Sequence, residues 1–551
     1  MYPVTYLYLC ITAGLTALVL VPPVSLLAVR IGGIDRPDER KVHQEEVPRL
    51  GGVAIFMACL FSLLIFTDMR APVKGYLAGG AIIFFTGLAD DITGLTPSQK
   101  LIGELAAALL VVISGGVCLT SLGNLFGTGE LLLGWAALPF TVFAIVGITN
   151  AINLLDGLDG LAGGVTAVVS AAFCLLAWRS GNMPLLLIST ALLGGVLGFL
   201  KYNTHPAKIF MGDSGSLFLG YSLGVCSVLL VTGGNHRISP MLPVFLLGVP
   251  IFDTLFVMGN RLRKKQPLFL PDRSHLHHRL MDLGLGHTST VFVVYGATYL
   301  LCFAALFMRQ TEDWLLLLVF FGFFAACYLC IKALLNVDAL DKIKTLWPSA
   351  DPTFLTLRKL VSLSSMVVTS IKYLLLFLLI LSWSMPSVRH PWIMVLTALL
   401  LIATLTSACI SSKWSNTLLQ TVLYAGSALV IFLMDTTGRS TVLYGISMHL
   451  VDTLLCGMLV ILIALEVLIR RRAGLLTTTP FEYFILFILV LVPLLPEDLV
   501  ARYHLFAVTG KSVVVFVAYK LILMDNMVQN RKIILALAVA LLGYLVRPIF
   551  N

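Results

Sequence analysis

The chain is 551 residues long, 58% hydrophobic and only 12% charged, with a mean hydropathy of +0.97 and a formal net charge of +9. Soluble domains carry roughly 25% charged residues, so the composition excludes a water-soluble globule. Nor does the positive balance point to nucleic acid: Lys and Arg gather between apolar runs, where membrane topology and anionic lipid or phosphate substrates account for them.

Apolar runs of about 20 residues, enough to cross a hydrocarbon core of roughly 30 Å as a helix, recur from one end to the other. Spans are expected at about 4–29, 52–68, 75–89, 100–121, 131–149, 160–178, 183–200, 216–232, 240–259, 290–308 and 313–335. The fold class is therefore an all-α polytopic membrane bundle. The first run has no basic residue ahead of it and no Ala-x-Ala site, so it reads as a retained helix and not as a cleaved signal. Cysteines lie mostly inside apolar runs, and the pair Cys327 and Cys330 falls within a span, so they read as small buried hydrophobes. Beyond these spans, an amphiphilic segment over 336–366 leads to about seven more, near 367–386, 390–411, 417–434, 441–469, 479–495, 505–525 and 532–549. Three regions result: a core over 1–335, a cytoplasmic linker over 336–366 and an additional membrane region over 367–551.

Two segments hold the heaviest basic loads of the first half, "RIGGIDRPDERKVHQEEVPRLGG" after the first span and "RLRKKQPLFLPDRSHLHHRLMDLGLGH" after the ninth. Eight spans separate them, so both fall on one side, and the positive-inside rule makes that side the cytoplasm. Alternation then puts "ADDITGLTPSQK", "NAINLLDGLDGLAGG" and "KYNTHPAKIFMGDSGS" on the same side. The opposite loops, such as "SLGNLFGTGE", carry little chemistry. One membrane-surface site built from several loops is the expectation.

The residue types in those loops define its chemistry. Asp90 and Asp91 are adjacent at a span end, where paired carboxylates are costly unless a cation or a proton is shared. Asn153, Asp156 and Asp159 recur every three residues, roughly on one helical face, and Asp213 adds another acid. Oxygen donors of this kind suit Mg²⁺ or Mn²⁺ and not zinc, with substrate phosphates completing the coordination. Gly212 and Gly215 of "MGDSGS" run into a span, where backbone amides at a helix N-terminus would attract phosphate, or the glycines serve only a tight turn. Lys41, Arg49, Lys100, Lys208, Arg273, His275, His277, His278 and Arg279 share that side and make a mixed site suited to a metal-bound diphosphate. Because Arg273 and Arg279 would oppose a cation, the His-x-His-His cluster reads as a phosphate or sugar contact.

"DDITGL", "NAINLLDGLDGLAGG", "KIFMGDSGSLFLGY" and "PDRSHLHHRLMDLGLGH", with "VPRLGG" ahead of them, resemble the motifs of bacterial polyprenyl-phosphate N-acetylhexosamine-1-phosphate transferases over about residues 1–335. That resemblance implies a Mg²⁺-dependent reaction in which undecaprenyl phosphate attacks the β-phosphorus of a UDP-sugar and releases UMP. It implies Asp90 and Asp91 as the acidic pair, proposed as base or metal helpers, and Asp213 as the principal metal ligand assisted by Asn153 or Asp156. Lys100, Asp156, Asp159, Asn203 and Phe210 would contact nucleotide and diphosphate, and Arg273, His275, His277 and His278 the diphosphate and sugar. It further implies a bacterial inner-membrane enzyme with a cytoplasmic site, UDP-N-acetylglucosamine as donor, and a role in starting O-antigen, common-antigen or teichoic-acid synthesis. Other UDP-N-acetylhexosamines stay open. The residues beyond 366 carry no comparable cluster and fit a homodimer surface, a partner-docking module or a polymerase-like fusion. The rival class, a transporter of lipid-phosphate or nucleotide anions, places its site near the bilayer midplane in paired repeats, whereas these ionisable residues sit at span ends.

Overall fold

The computed structural model describes residues 3–35, 46–233, 238–265, 275–283, 285–309, 311–335, 354–382, 391–409, 415–438, 442–443, 446–472, 500–501, 504–525 and 531–550. Helix makes up 84% of it. Among the described residues, 11 helices are long and apolar enough to cross a membrane, and five shorter apolar helices accompany them. This is an all-α multi-pass membrane protein. The chain divides into two compact units, the first built on Met1–Leu340 and the second on the residues that follow.

The first unit contains α1 (Pro3–Ile31), α2 (Gly51–Phe66), α3 (Ala71–Thr93), α4 (Pro97–Gly115), α5 (Ala137–Leu155), α6 (Leu161–Ser180), α7 (Met183–Asn203), α8 (Gly212–Thr232), α9 (Leu242–Leu246), α10 (Gly248–Arg263), α11 (Leu276–Asp282), α12 (His287–Phe307) and α13 (Asp313–Leu335). The helices α6 and α8 are the most enclosed, with 89% of their apolar window buried, against 33% for α4 and α5, whose outer faces are left for lipid. A short antiparallel pair, β1 (Ile34–Asp35) and β2 (Val47–Pro48), joins α1 to α2.

The expected ninth span is not one helix. It breaks at Leu247 into α9 and α10, and the cause is Pro250, which has no N–H to give the carbonyl of Leu246. That carbonyl instead accepts from Cys302 Sγ at 3.8 Å. The segment over 276–282, expected as loop, forms α11.

The helices α3, α5, α7 and α10 end, and α4, α8 and α12 begin, at the same end of the unit. At the other end Asp313 of α13 gathers the intervening loops: its carboxylate accepts the backbone N–H of Asn124 at 2.6 Å and the hydroxyl of Ser239.

The second unit contains α14 (Phe354–Leu381), α15 (Pro391–Cys409), α16 (Ser415–Gly438), α17 (Met448–Arg472), α18 (Leu505–Asp525) and α19 (Arg531–Phe550). The linker expected over 336–366 is helical from Phe354 and continuous with the following span; the expected span over 479–495 lies outside the described residues. Inside this unit Lys511 pairs with Asp435 at 2.9 Å and with Asp452, all three buried. Arg470 pairs with Glu466 one turn before it at 2.7 Å, and Ser364 donates to the same carboxylate.

Candidate active site

Close backbone approach builds the site. At the end of β2 the carbonyl of Pro48 accepts from Phe210 N at 2.8 Å, and beyond it Gly51 N donates to the Phe210 carbonyl at 2.9 Å and Gly52 N to Met211 O at 2.8 Å. This lacing draws the start of α2 onto the start of α8 until Gly52 lies against Gly215, where an added Cβ would sit 2.2 Å from Gly215 N. Gly212 has φ +69°, and a Cβ there would meet the Arg49 carbonyl at 2.2 Å and the Asp91 carboxylate at 2.5 Å. A non-glycine residue is excluded on both counts.

The acidic pair resolves into two different roles. Asp91, buried at 3% exposure, accepts from Asp213 N at 2.8 Å and Ser214 N at 3.0 Å. It therefore satisfies two of the free amides at the α8 N-terminus itself, so of the two readings of "MGDSGS", the nest open to a substrate phosphate is taken up by a side chain at these amides. Asp90 accepts from Leu95 N at 2.6 Å and pairs with Lys100 at 2.8 Å. A capping box, Thr96 with Gln99, starts α4 and sets Lys100 one turn in, where its Nζ also reaches Asp213 at 2.7 Å. Asp213 is thus held from one side by Lys100 and from the other by Asn153 Nδ2 at 2.8 Å, with Asn153 also donating to Ser216 Oγ at 2.7 Å.

The loop after α5 brings in Asp156 and Asp159. Burial and then the charges of Asp213, Asp91 and Asp159 push the Asp156 carboxyl up to about 8. Asp159 accepts from Ala207 N at 3.1 Å, pairs with His205 Nδ1 at 2.7 Å, and donates its N–H to His287 Nε2 at 3.1 Å; the rings of His205 and His287 stack at 4.1 Å. These groups border a cavity of about 570 Å³ lined also by Asn153, Asn203, Phe210 and His278.

A family model described as glycosyl transferase family 4 matches residues 73–231, the stretch that contains Asp90, Asp91, Lys100, Asn153, Asp156, Asp159 and Asp213. A Bacillus subtilis (strain 168) protein, "Probable undecaprenyl-phosphate N-acetylglucosaminyl 1-phosphate transferase", is 41% identical over 314 residues, which cover 56% of this chain and 87% of that one. This chain belongs to glycosyl transferase family 4. An Escherichia coli (strain K12) relative named undecaprenyl-phosphate alpha-N-acetylglucosaminyl 1-phosphate transferase is 31% identical over 56% of this chain and 85% of its own length. A Mycobacterium tuberculosis (strain ATCC 25618 / H37Rv) relative named decaprenyl-phosphate N-acetylglucosaminephosphotransferase is 34% identical over 53% and 80%.

Of the other residues expected in the family 4 site, Asn203 borders the cavity, but its amide is spent on the backbone: Oδ1 accepts from Gly160 N at 3.0 Å and Nδ2 donates to Ile209 O at 3.0 Å. It staples two loops together. Of the histidines, His278 reaches the cavity wall. His275 is buried and held by Asp253 at 2.8 Å, and Asp253 also accepts from Leu276 N at 2.7 Å to start α11. His277 is 2% exposed and lies against Gly157, and burial followed by the charge of His278 lowers its imidazole to about 4. Arg273 lies outside the described residues.

Two donor sets compare as metal holders. Asp213, Asn153 and Asp156 supply oxygens beside other carboxylates, a set that fits Mg²⁺. Asp159, His205 and His287 present ligand atoms within 4.8 Å of one another, but His287 Nε2 already accepts a backbone N–H. Sequence reasoning missed Asp253, His205 and His287. Asp253 is a lone acid in an apolar run, and such an acid is itself a functional signal; the two histidines end the "YNTH" and "LGLGH" stretches of polar segments already singled out.

Proposed function

We propose that this chain transfers N-acetylglucosamine 1-phosphate from UDP-N-acetylglucosamine to undecaprenyl phosphate, releasing UMP and starting a lipid-linked envelope glycan. The observation that carries this reading is the acid-lined cavity at one end of the first unit, in a chain whose relatives are named for that transfer. An oxygen of the acceptor phosphate attacks the β-phosphorus of the donor. The bond from that phosphorus to the bridging oxygen breaks, UMP leaves with the electron pair, and polyprenyl diphospho-N-acetylglucosamine remains. A phosphate acceptor is largely ionised near neutral pH, so no strong base is required, in keeping with Asp90 and Asp91 being engaged as positioning groups.

Asp213, with Asn153 and Asp156, would hold Mg²⁺ or Mn²⁺, which neutralises the diphosphate and the charge that develops on the leaving group. Lys100 and Asn153 orient Asp213, and the His275–Asp253 pair sets α11 so that His278 meets the cavity. The site faces the cytoplasm of a bacterial inner membrane, because the basic segments share its end of the chain's spans. Purified protein with undecaprenyl phosphate should release UMP from UDP-N-acetylglucosamine. Release from a different UDP-N-acetylhexosamine alone would change the sugar, and no release from any of them would overturn the reading.

A further inference from the structure

The described lining of the cavity holds more acidic than basic side chains. Among the described residues that line it, Asp35, Asp91, Asp156, Asp159 and Asp213 carry carboxylates, while Arg49 is the only Lys or Arg side chain. Lys100 does not take that part, since its Nζ is held between Asp90 and Asp213. Arg49 lies with Leu50 between β2 and α2, and its backbone is pinned by its own N–H to Gly33 O at 3.0 Å and by the lacing of Pro48 and Gly51 to Phe210. One arm of its guanidinium, Nη2, donates to the Asp91 carbonyl at 2.6 Å, which ties it to the carboxylate that caps α8. Its Nε is buried and has no hydrogen-bond partner among the described residues.

A guanidinium offers five N–H donors in a fixed fork that matches phosphoryl oxygens. A buried N–H with nothing to bond costs free energy unless a ligand supplies the acceptor. An anionic substrate entering a cavity lined mainly by acidic side chains is also favoured by a cation from the protein beside any metal ion. Resting on the phosphosugar-transfer reading above, we propose that Arg49 binds a phosphoryl oxygen of the substrate. That oxygen belongs to the donor diphosphate or to the acceptor phosphate, which share this chemistry. Arg49 lies outside the stretch matched by the family model.

The test uses the full-length protein and its R49Q and R49K variants, each first shown to be monodisperse. Binding of UDP and of uridine is measured with Mg²⁺ present, and KM is measured for UDP-N-acetylglucosamine and for undecaprenyl phosphate. R49Q should lose on the order of 10- to 100-fold for a phosphoryl ligand, the scale of a charge-assisted hydrogen bond, with uridine binding within about twofold of wild type. R49K, which keeps the charge without the fork, should fall between. Weaker UDP binding with a raised donor KM assigns Arg49 to the diphosphate; a raised acceptor KM alone assigns it to the lipid phosphate. Equal losses for UDP and uridine with an unchanged acceptor KM, or no change in any constant, would overturn the proposal. If wild type bound UDP and released no UMP, the transfer reading would fail, while the comparison of UDP with uridine would still decide the role of Arg49.

Discussion

At the scale of single residues, one carboxylate side chain serves several different purposes within a few ångströms. Asp213 is held by Lys100 and Asn153 and borders the cavity, so Asp213→Asn should reduce UMP release by at least about 100-fold while the protein stays folded in detergent. Wild-type turnover by that variant would remove Asp213 from the chemistry. Asp91 differs, because its two oxygens hold backbone amides of α8. Its replacement by Asn should cost stability as well as activity, by about 1.5–3 kcal/mol, read as a lower unfolding midpoint. His277 gives a pH prediction. Its imidazole is lowered to about 4 in the folded protein, against about 6.5 in an unfolded chain. Between those values the unfolded chain binds a proton that the folded chain refuses, so stability is lost as pH falls from about 6.5 toward 4. His277→Gln should flatten this loss, and midpoints at pH 7.5 and 5.5 that change equally in both proteins would contradict it.

At the scale of elements, the site depends on how closely helix ends approach. Gly87 of α3 and Gly52 of α2 both press on the first turn of α8: a Cβ at Gly87 would stand 2.5 Å from Ser214 Cα. Small residues permit such contact inside a membrane bundle. Gly52→Ala should therefore push α2 away from α8, separating Arg49 from Asp91, and lower UMP release per folded molecule more than it lowers the unfolding midpoint. An unaltered rate would show that the acids do not need this register. Much of this was legible beforehand: the ends of most helices fall within a few residues of the expected spans, because their apolar stretches are long and bounded by polar loops. The break at Leu247 was not legible, since Pro250 and a carbonyl rescued by a cysteine from α12 leave no mark in hydropathy.

At the scale of the whole molecule, the two units differ in what they bring together. The acids that border the cavity, Lys100, Arg49 and His205, His275, His277, His278 and His287 lie in the first unit, so a chain ending at Leu340 should retain transfer if it remains monodisperse. A folded truncation that binds UDP-N-acetylglucosamine and transfers nothing would assign the later helices a part in the acceptor site. In the second unit no cluster of acids is apparent from spacing, yet Asp435, Asp452 and Lys511 meet from three helices. Lys511→Met alone should destabilise the protein by about 3–5 kcal/mol by leaving carboxylates without their counter-charge, whereas adding Asp435→Asn and Asp452→Asn should recover much of that loss. Thermal unfolding of the three proteins measures it.

Composition and hydropathy by themselves determined the membrane class, the helical fold and the approximate spans, because a backbone in hydrocarbon must satisfy its hydrogen bonds within each segment. Alternation of those spans was enough to collect Asp90, Asp91, Lys100, Asn153, Asp156, Asp159 and Asp213 at one end. What each of them does was decided only by the tertiary structure, since a role depends on which partner a side chain meets. Asp91 meets two amides at the start of α8, Asn203 meets two loop backbones, and Asp253 meets His275. These pairings join residues up to 123 positions apart, and such contacts are set by how helices pack and not by any period along the chain.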